Sequence, residues 1–145
     1  MPRVLLINTN MMQPPVSPVA LDHIASTLDK EGVEVALLDL AFVDPPAVPA
    51  ELERAVHRAS PDLIGLSVRN TDDCSMATRA FLLPRIKKWI KHIKEIADVP
   101  VVAGGVGFSI LPGEAFNFLD PDYGIAGEGE RAFLQLTDAI VSGLD

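Results

Sequence analysis

Five short apolar runs constrain this chain more than any other feature. Most are followed by a polar or glycine-rich turn and then a helical pattern. Val4-Leu5-Leu6-Ile7 is continuously apolar, as expected for a strand covered on both faces. Ser17-Pro18 offers an N-cap and a first-turn proline to a helix carrying Leu21, Ile24, Ala25 and Leu28 on one face, stopped by Gly32. Val33 to Leu40 reads as a second strand. Asp44-Pro45-Pro46 then breaks the chain, and Leu52, Ala55, Val56 and Ala59 mark a second helix. After Pro61, Leu63-Ile64-Gly65-Leu66-Ser67 forms a third strand. A polar connection from Val68 to Thr78 leads into a third helix reaching about Ala97, with Pro84 in its first turns or kinking it. Pro100-Val101-Val102-Ala103 is a fourth strand closed by Gly104-Gly105. A short helix at Pro112 to Phe118, a fifth strand Tyr123-Gly124-Ile125-Ala126 and a last helix from about Glu130 to Val141 complete the pattern.

Alternating units of this length require a parallel sheet with helices on both faces and right-handed crossovers. With five strands, the expected fold is a three-layer α/β domain of flavodoxin-like strand order 2-1-3-4-5. The 145 residues make one domain, 1–145, and a last helix with no tail fits a domain cut from a longer protein. Apolar residues at 48 % exclude a disordered chain. Twelve basic against 20 acidic residues give a net charge of −8, a poor match to a phosphate backbone, so no nucleic-acid partner is expected. No run approaches the ~20 apolar residues of a membrane span, and no signal-peptide pattern opens the chain; a cytoplasmic location is expected. A single cysteine, Cys74, excludes an internal disulfide or a multi-cysteine metal site.

In such sheets a ligand sits beyond the carboxyl ends of the strands, where the strand order reverses. Four stretches fall there: Asn8-Thr9-Asn10, Ser67-Val68-Arg69-Asn70, Gly104-Gly105-Val106-Gly107 and Gly127-Glu128-Gly129-Glu130. Any one could be turn chemistry, but glycines after two adjacent strands open the backbone to a large ligand. The first loop lacks G-x-G-x-x-G and the chain lacks a P-loop, which excludes the standard dinucleotide and nucleoside-triphosphate sites. A phospho-receiver would end its third strand in aspartate, where this chain has Ser67.

With these loops in order, joined by Pro14-Pro15-Val16-Ser17-Pro18, Thr71-Asp72-Asp73-Cys74 and Phe108-Ser109, the whole chain resembles the N-terminal cobalamin-binding domain of cobalamin-dependent radical SAM methyltransferases. Within that family the pattern is most similar to tryptophan C-methylating enzymes. The resemblance implies cobalamin held with its nucleotide tail drawn off the cobalt and buried in the sheet. It implies Ser67 near the buried base, Gly104 and Gly105 beside the tail, and Asn8, Thr9 and Asn10 flanking the tail and corrin edge. By the same match Val68, Arg69, Asn70, Val106, Gly107, Phe108, Gly127, Glu128 and Gly129 join the cofactor site. A radical SAM domain in the same polypeptide, a 4Fe-4S cluster, S-adenosylmethionine and a small-molecule methyl acceptor would complete the enzyme. The cluster needs C-x-x-x-C-x-x-C, so this chain is expected to bind cofactor without turning over.

Many cobalamin domains carry D-x-H-x-x-G after the first strand, its histidine ligating cobalt. Here the region reads Asn8-Thr9-Asn10-Met11-Met12-Gln13, and His23 lies inside the first helix, so no histidine ligand is expected. Arg69 is expected near the lower face of the cobalt. Guanidinium has no free lone pair and cannot ligate; the bland reading pairs it with Asp72 or Asp73. Cys74 is expected as a loop or core residue, Trp89 as core, His57 and His92 as solvated, and Glu128 and Glu130 as acids favoured at a helix N-terminus. The third helix region concentrates Arg79, Arg85, Lys87, Lys88, Lys91 and Lys94, either a solvated face or a surface for an acidic partner. A cofactor-free interaction or scaffold module and a small flavin- or nucleotide-binding protein remain the alternatives.

Overall fold

The computed structural model describes residues 1–143. Its strands are β1 (Arg3–Asn8), β2 (Glu34–Asp39), β3 (Leu63–Ser67), β4 (Val101–Gly104) and β5 (Tyr123–Gly124). The helices are α1 (Val19–Lys30), α2 (Val48–Ala59), α3 (Leu83–Ile96), α4 (Val106–Ile110), α5 (Pro112–Leu119) and α6 (Glu130–Val141). All pairings are parallel, in the order β2-β1-β3-β4-β5. This is the expected flavodoxin-like arrangement. Among the described residues, no helix is long and apolar enough to cross a membrane.

Alternation along the strands divides the core. Leu5, Ile7, Ile64, Leu66, Val101 and Ala103 face α2, α3 and α5, where Leu52, Val56, Ile90, Ile93 and Leu119 are buried. Val4, Leu6, Leu63 and Val102 face α1 and α6, against Leu21, Leu28 and Phe133. Gly65 also lies on this second face. A side-chain carbon built there would come within 2.7 Å of the Phe133 ring and 3.0 Å of Leu6, so the bare glycine lets α6 seat its aromatic ring on the sheet.

Several local expectations are corrected. Ser17 does not cap α1: the helix starts one residue after Pro18, whose carbonyl accepts from the Leu21 and Asp22 amides. Val33 and Leu40 lie outside β2: the Val33 amide still bonds the Leu28 carbonyl at the end of α1, and at the other end Asp39 accepts the Ala41 amide and turns the chain into a short 3-10 segment. Pro84 starts α3 without kinking it. Arg79 lies before the helix, with a left-handed φ of 46°. Val106–Ile110, read from sequence as loop, forms α4. β5 keeps two residues, although the Ile125 amide still donates to the Ala103 carbonyl.

The seat at Gly65 is testable. Gly65→Val should lower the unfolding free energy by about 1–3 kcal/mol through overpacking, read as a lower urea midpoint at unchanged slope. An unchanged midpoint would show that the Phe133 ring yields freely.

Candidate functional site

β1 lies between β2 and β3, so successive connections leave its two sides in opposite directions and the carboxyl edge parts there. A cleft of about 550 Å³ opens at this edge and runs down the α1/α6 face of the sheet. Its floor is Leu6, Gly65 and Val102 from the sheet, Leu21 and Ile24 from α1, and Phe133 from α6. Its rim carries Ser67, Gly104, Gly105, Val106, Ser109 and Ile110. On the α6 side the rim continues through Gly127, Glu128, Gly129 and Glu130. The volume lies inside the ~300–1,000 Å³ range of small-molecule sites.

Of the site residues expected from sequence, Ser67, Gly104, Gly105, Val106, Gly127, Glu128 and Gly129 line this cleft. The others do not line it. Asn8 donates to the Asp39 carboxylate at 2.8 Å and accepts the Asn10 amide at 3.2 Å. Thr9 donates to the Ser67 carbonyl at 2.6 Å, and Asn10 accepts the Met12 amide at 3.2 Å. These three are almost fully buried, with their side chains committed to the fold. Val68 belongs to the opposite core face. Its amide donates to Gly104 and its carbonyl accepts from Gly107, clipping the loops after β3 and β4 together. Phe108 is buried beneath Gly124, whose lack of a side chain admits the ring. Asn70 reaches the Met12 sulfur at 3.0 Å.

Gly105 is required by the protein itself. Its φ of 102° favours glycine, and a Cβ there would lie 2.7 Å from the Val68 carbonyl oxygen. Ser67 Oγ lies beside it and makes no hydrogen bond within the described protein, leaving a hydroxyl free at the rim. Ser109, part of the loop motif but given no site role from sequence, donates to the Gly105 carbonyl at 2.8 Å and accepts the Gly127 amide at 2.9 Å. That one hydroxyl ties the rim loops after β4 and β5. Sequence reasoning missed the apolar floor, because its residues show the same helical and strand periodicity as packed core.

Arg69 follows the end of β3. It is exposed, and it pairs with no carboxylate among the described residues. The ion pair with Asp72 or Asp73 is therefore absent. His23 is exposed on α1, and Trp89 is core, with the Arg85 guanidinium 5.1 Å from its ring centre. His92 is half-buried rather than solvated, 3.2 Å from Glu53. Cys74 is an exposed loop residue whose thiol is pushed up by its hydrogen bond to Asp72 and by that residue's charge, which disfavours a nucleophilic thiolate. Glu130 lies in the first turn of α6, but neither it nor Glu128 caps the helix. On α3, Lys94 bonds Asp122 at 2.9 Å and Lys87 lies 4.8 Å from the Phe118 ring centre, so part of its basic face is already engaged. No group of three metal-ligating side chains occurs among the described residues.

This fold and cleft define a doubly wound domain with a largely apolar cleft at its carboxyl edge. The B12 binding domain family matches residues 6–137, and the chain belongs to that family. It is 35 % identical over 142 residues to a tryptophan 2-C-methyltransferase of Streptomyces laurentii, covering 97 % of this chain and 23 % of that protein. It also resembles the radical S-adenosylmethionine methyltransferase TsrM of Kitasatospora setae. With tryptophan and a SAM analogue bound, the match has a TM-score of 0.92 and 37 % identity over 98 % of this chain and 26 % of that one. With cobalamin and a [4Fe-4S] cluster bound, the TM-score is 0.86 and identity 35 %, over 100 % and 26 %. A CheY-like protein (tadZ) of Pseudomonas aeruginosa shares the fold alone, at 14 % identity and a TM-score of 0.60 over 99 % of both chains. The chain spans about a quarter of the length of its methyltransferase relatives.

The loop after Arg69 is held by Asp73, which accepts the Ser75 and Ala80 amides at 3.1 Å and the Thr78 hydroxyl. The Thr78 bond leads in holding its carboxyl below the ordinary value of 3.8. A depressed folded pKa means that this support is present above the unfolded value and is lost as pH falls through the folded one. Ser75 and Ala80 amide protection should therefore hold as pH falls to the ordinary value of 3.8 and be lost only below it. Thr78→Val should move that loss to higher pH in hydrogen-exchange measurements. A loss at the same pH in parent and variant would remove Thr78 from the account.

Proposed function

We propose that this chain is the cobalamin-carrying domain of a cobalamin-dependent radical SAM methyltransferase, with the nucleotide tail of the cofactor drawn off the cobalt and into the cleft between α1 and α6. The observation that carries this reading is the cleft itself. Its floor is apolar, its rim is glycine-rich, and it opens at the switch point of a B12-family fold.

The residues present fit such a group. Leu6, Ile24, Val102 and Phe133 offer an aromatic base apolar walls, and the free Ser67 hydroxyl offers it a hydrogen bond at the rim. Gly104, Gly105, Gly127 and Gly129 keep side chains out of the tail's path, with Val106, Glu128 and Ser109 beside them. Asn8, Thr9, Asn10, Val68, Asn70, Gly107 and Phe108 act behind these groups, fixing the loops before the cofactor arrives. Arg69 is exposed just beyond the carboxyl end of β3 with no carboxylate partner among the described residues; beside the lower face of a bound corrin it would offer cobalt no lone pair to coordinate. Bound cobalamin supplies a cobalt centre able to accept and hand on a methyl group. In the full-length protein a radical SAM domain with a 4Fe-4S cluster and S-adenosylmethionine provides the donor. The acceptor is a small molecule with a reactive carbon, of indole type by similarity to the tryptophan 2-C-methyltransferase.

Mixing the domain with hydroxocobalamin and desalting should leave a coloured protein with a base-off spectrum; a colourless protein would favour a scaffold module. Ala20 is exposed in the first turn of α1 and lines the cleft. Ala20→Trp should weaken cobalamin binding more than about tenfold while changing stability by no more than ~0.5 kcal/mol, as surface substitutions do. Undiminished binding would place the tail elsewhere.

Arg69→His should introduce an imidazole below the metal and add nitrogen coupling to the Co(II) EPR spectrum of the loaded domain. Single replacement of His23, His57 or His92 should leave that spectrum unchanged. If Arg69→His also leaves it unchanged, Arg69 does not lie under the cobalt.

A further inference from the structure

We propose that the cleft floor makes this domain selective among corrinoids, accepting those whose lower nucleotide ends in an apolar base and rejecting those ending in a purine. The inference rests on the reading that the nucleotide tail enters the cleft.

The cleft face of the sheet is built in two rows. Asn8, Ser67 and Gly104 pair across the strands at the rim. Two residues deeper, Leu6, Gly65 and Val102 pair in the same register. The rows are separated by about 6.6 Å along the strands. The polar side chains lining the cleft, Ser67, Ser109, Glu128 and Glu130, all belong to the carboxyl edge. At the deeper row the backbone groups are engaged in the parallel ladder, and the side chains facing them are Leu21, Ile24 and Phe133. Phe133 closes the floor because Gly65 leaves its ring room.

A base tethered through its five-membered ring at the rim would direct its six-membered edge toward the floor. In benzimidazole that edge is hydrocarbon, and in a phenolic base the ring is hydrocarbon apart from its linking oxygen. In adenine the edge carries ring nitrogens and an exocyclic amine, which would lose water and find no partner. Such unmatched polar groups are rejected far more strongly than a change in size.

The test measures dissociation constants of this chain by equilibrium dialysis for cobalamin, adeninylcobamide, p-cresolylcobamide and cobinamide, which lacks the base. The expected order has cobalamin and p-cresolylcobamide within about threefold, and adeninylcobamide about 10- to 100-fold weaker than cobalamin. Ile24 is half-buried on α1, so Ile24→Gln can place an amide over the floor with little risk to folding; it should narrow the cobalamin-to-adeninylcobamide ratio at least about threefold. Equal affinity for the two cobamides, with cobinamide weak, overturns the selectivity and leaves the tail in the cleft. Cobinamide binding as tightly as cobalamin overturns the underlying reading instead. A ratio unchanged in Ile24→Gln shows that discrimination does not arise at the floor and overturns the assignment.

Discussion

The contact between the Phe133 ring and bare Gly65 sets the depth of everything on the ligand side of the sheet. A helix packing on a sheet normally meets side chains projecting from each strand, which hold its axis away. Here the central strand presents no side chain where the ring lies, so an aromatic group can reach the backbone. α6 is thereby anchored at one buried residue of its first turn and can leave space beside it toward α1. A void between two helices is stable only if something else fixes their spacing. The ring on Gly65 does this below, and contact between α1 and α6 assists it.

The rim is built by different physics. Its loops are held by short polar links, each closed within the protein: Asn8 to Asp39, Thr9 to the Ser67 carbonyl, and Ser109 between Gly105 and Gly127. The buried Asn8 and Thr9 side chains restrict their loops most, because breaking either link strands a polar group away from water, whereas the Ser109 to Gly127 link is open to solvent. The rim is therefore largely arranged in advance, which reduces the ordering cost on binding.

The sheet was legible because strands buried on both faces read as unbroken apolar runs, as at Val4 to Ile7 and Leu63 to Leu66. The last helix was legible because glycines bound it and its inward residues keep strict spacing. Failures came where a tertiary contact overrides local pattern. Leu40 is as apolar as its strand neighbours, yet the Asp39 carboxylate diverts it into a turn. Val106 to Ile110 is too short for periodicity to identify, and Arg79 adopts a left-handed backbone that no helical spacing discloses. The glycine loops were placed correctly at the carboxyl edge. Their division into cleft-lining and supporting residues was not legible, since Asn8 and Ser67 are paired polar strand-end residues on one face, and only the tertiary bond of Asn8 to Asp39 separates it from the free Ser67 hydroxyl that meets the cleft.

The two faces of the sheet also differ in what they leave unfinished. The α2/α3/α5 side encloses a continuous core, whereas the α1/α6 side packs a smaller core around Leu6, Val102 and Phe133 and opens beside it into a largely apolar cleft whose rim leaves Val106 and Ile110 exposed. Such a hollow is stability held in reserve: filling it supplies missing dispersion contacts and removes apolar surface from water in one step. Occupancy is thus thermodynamically linked to folding. Since the reserve lies on one side only, filling the cleft would tighten α1 and α6 more than the opposite layer.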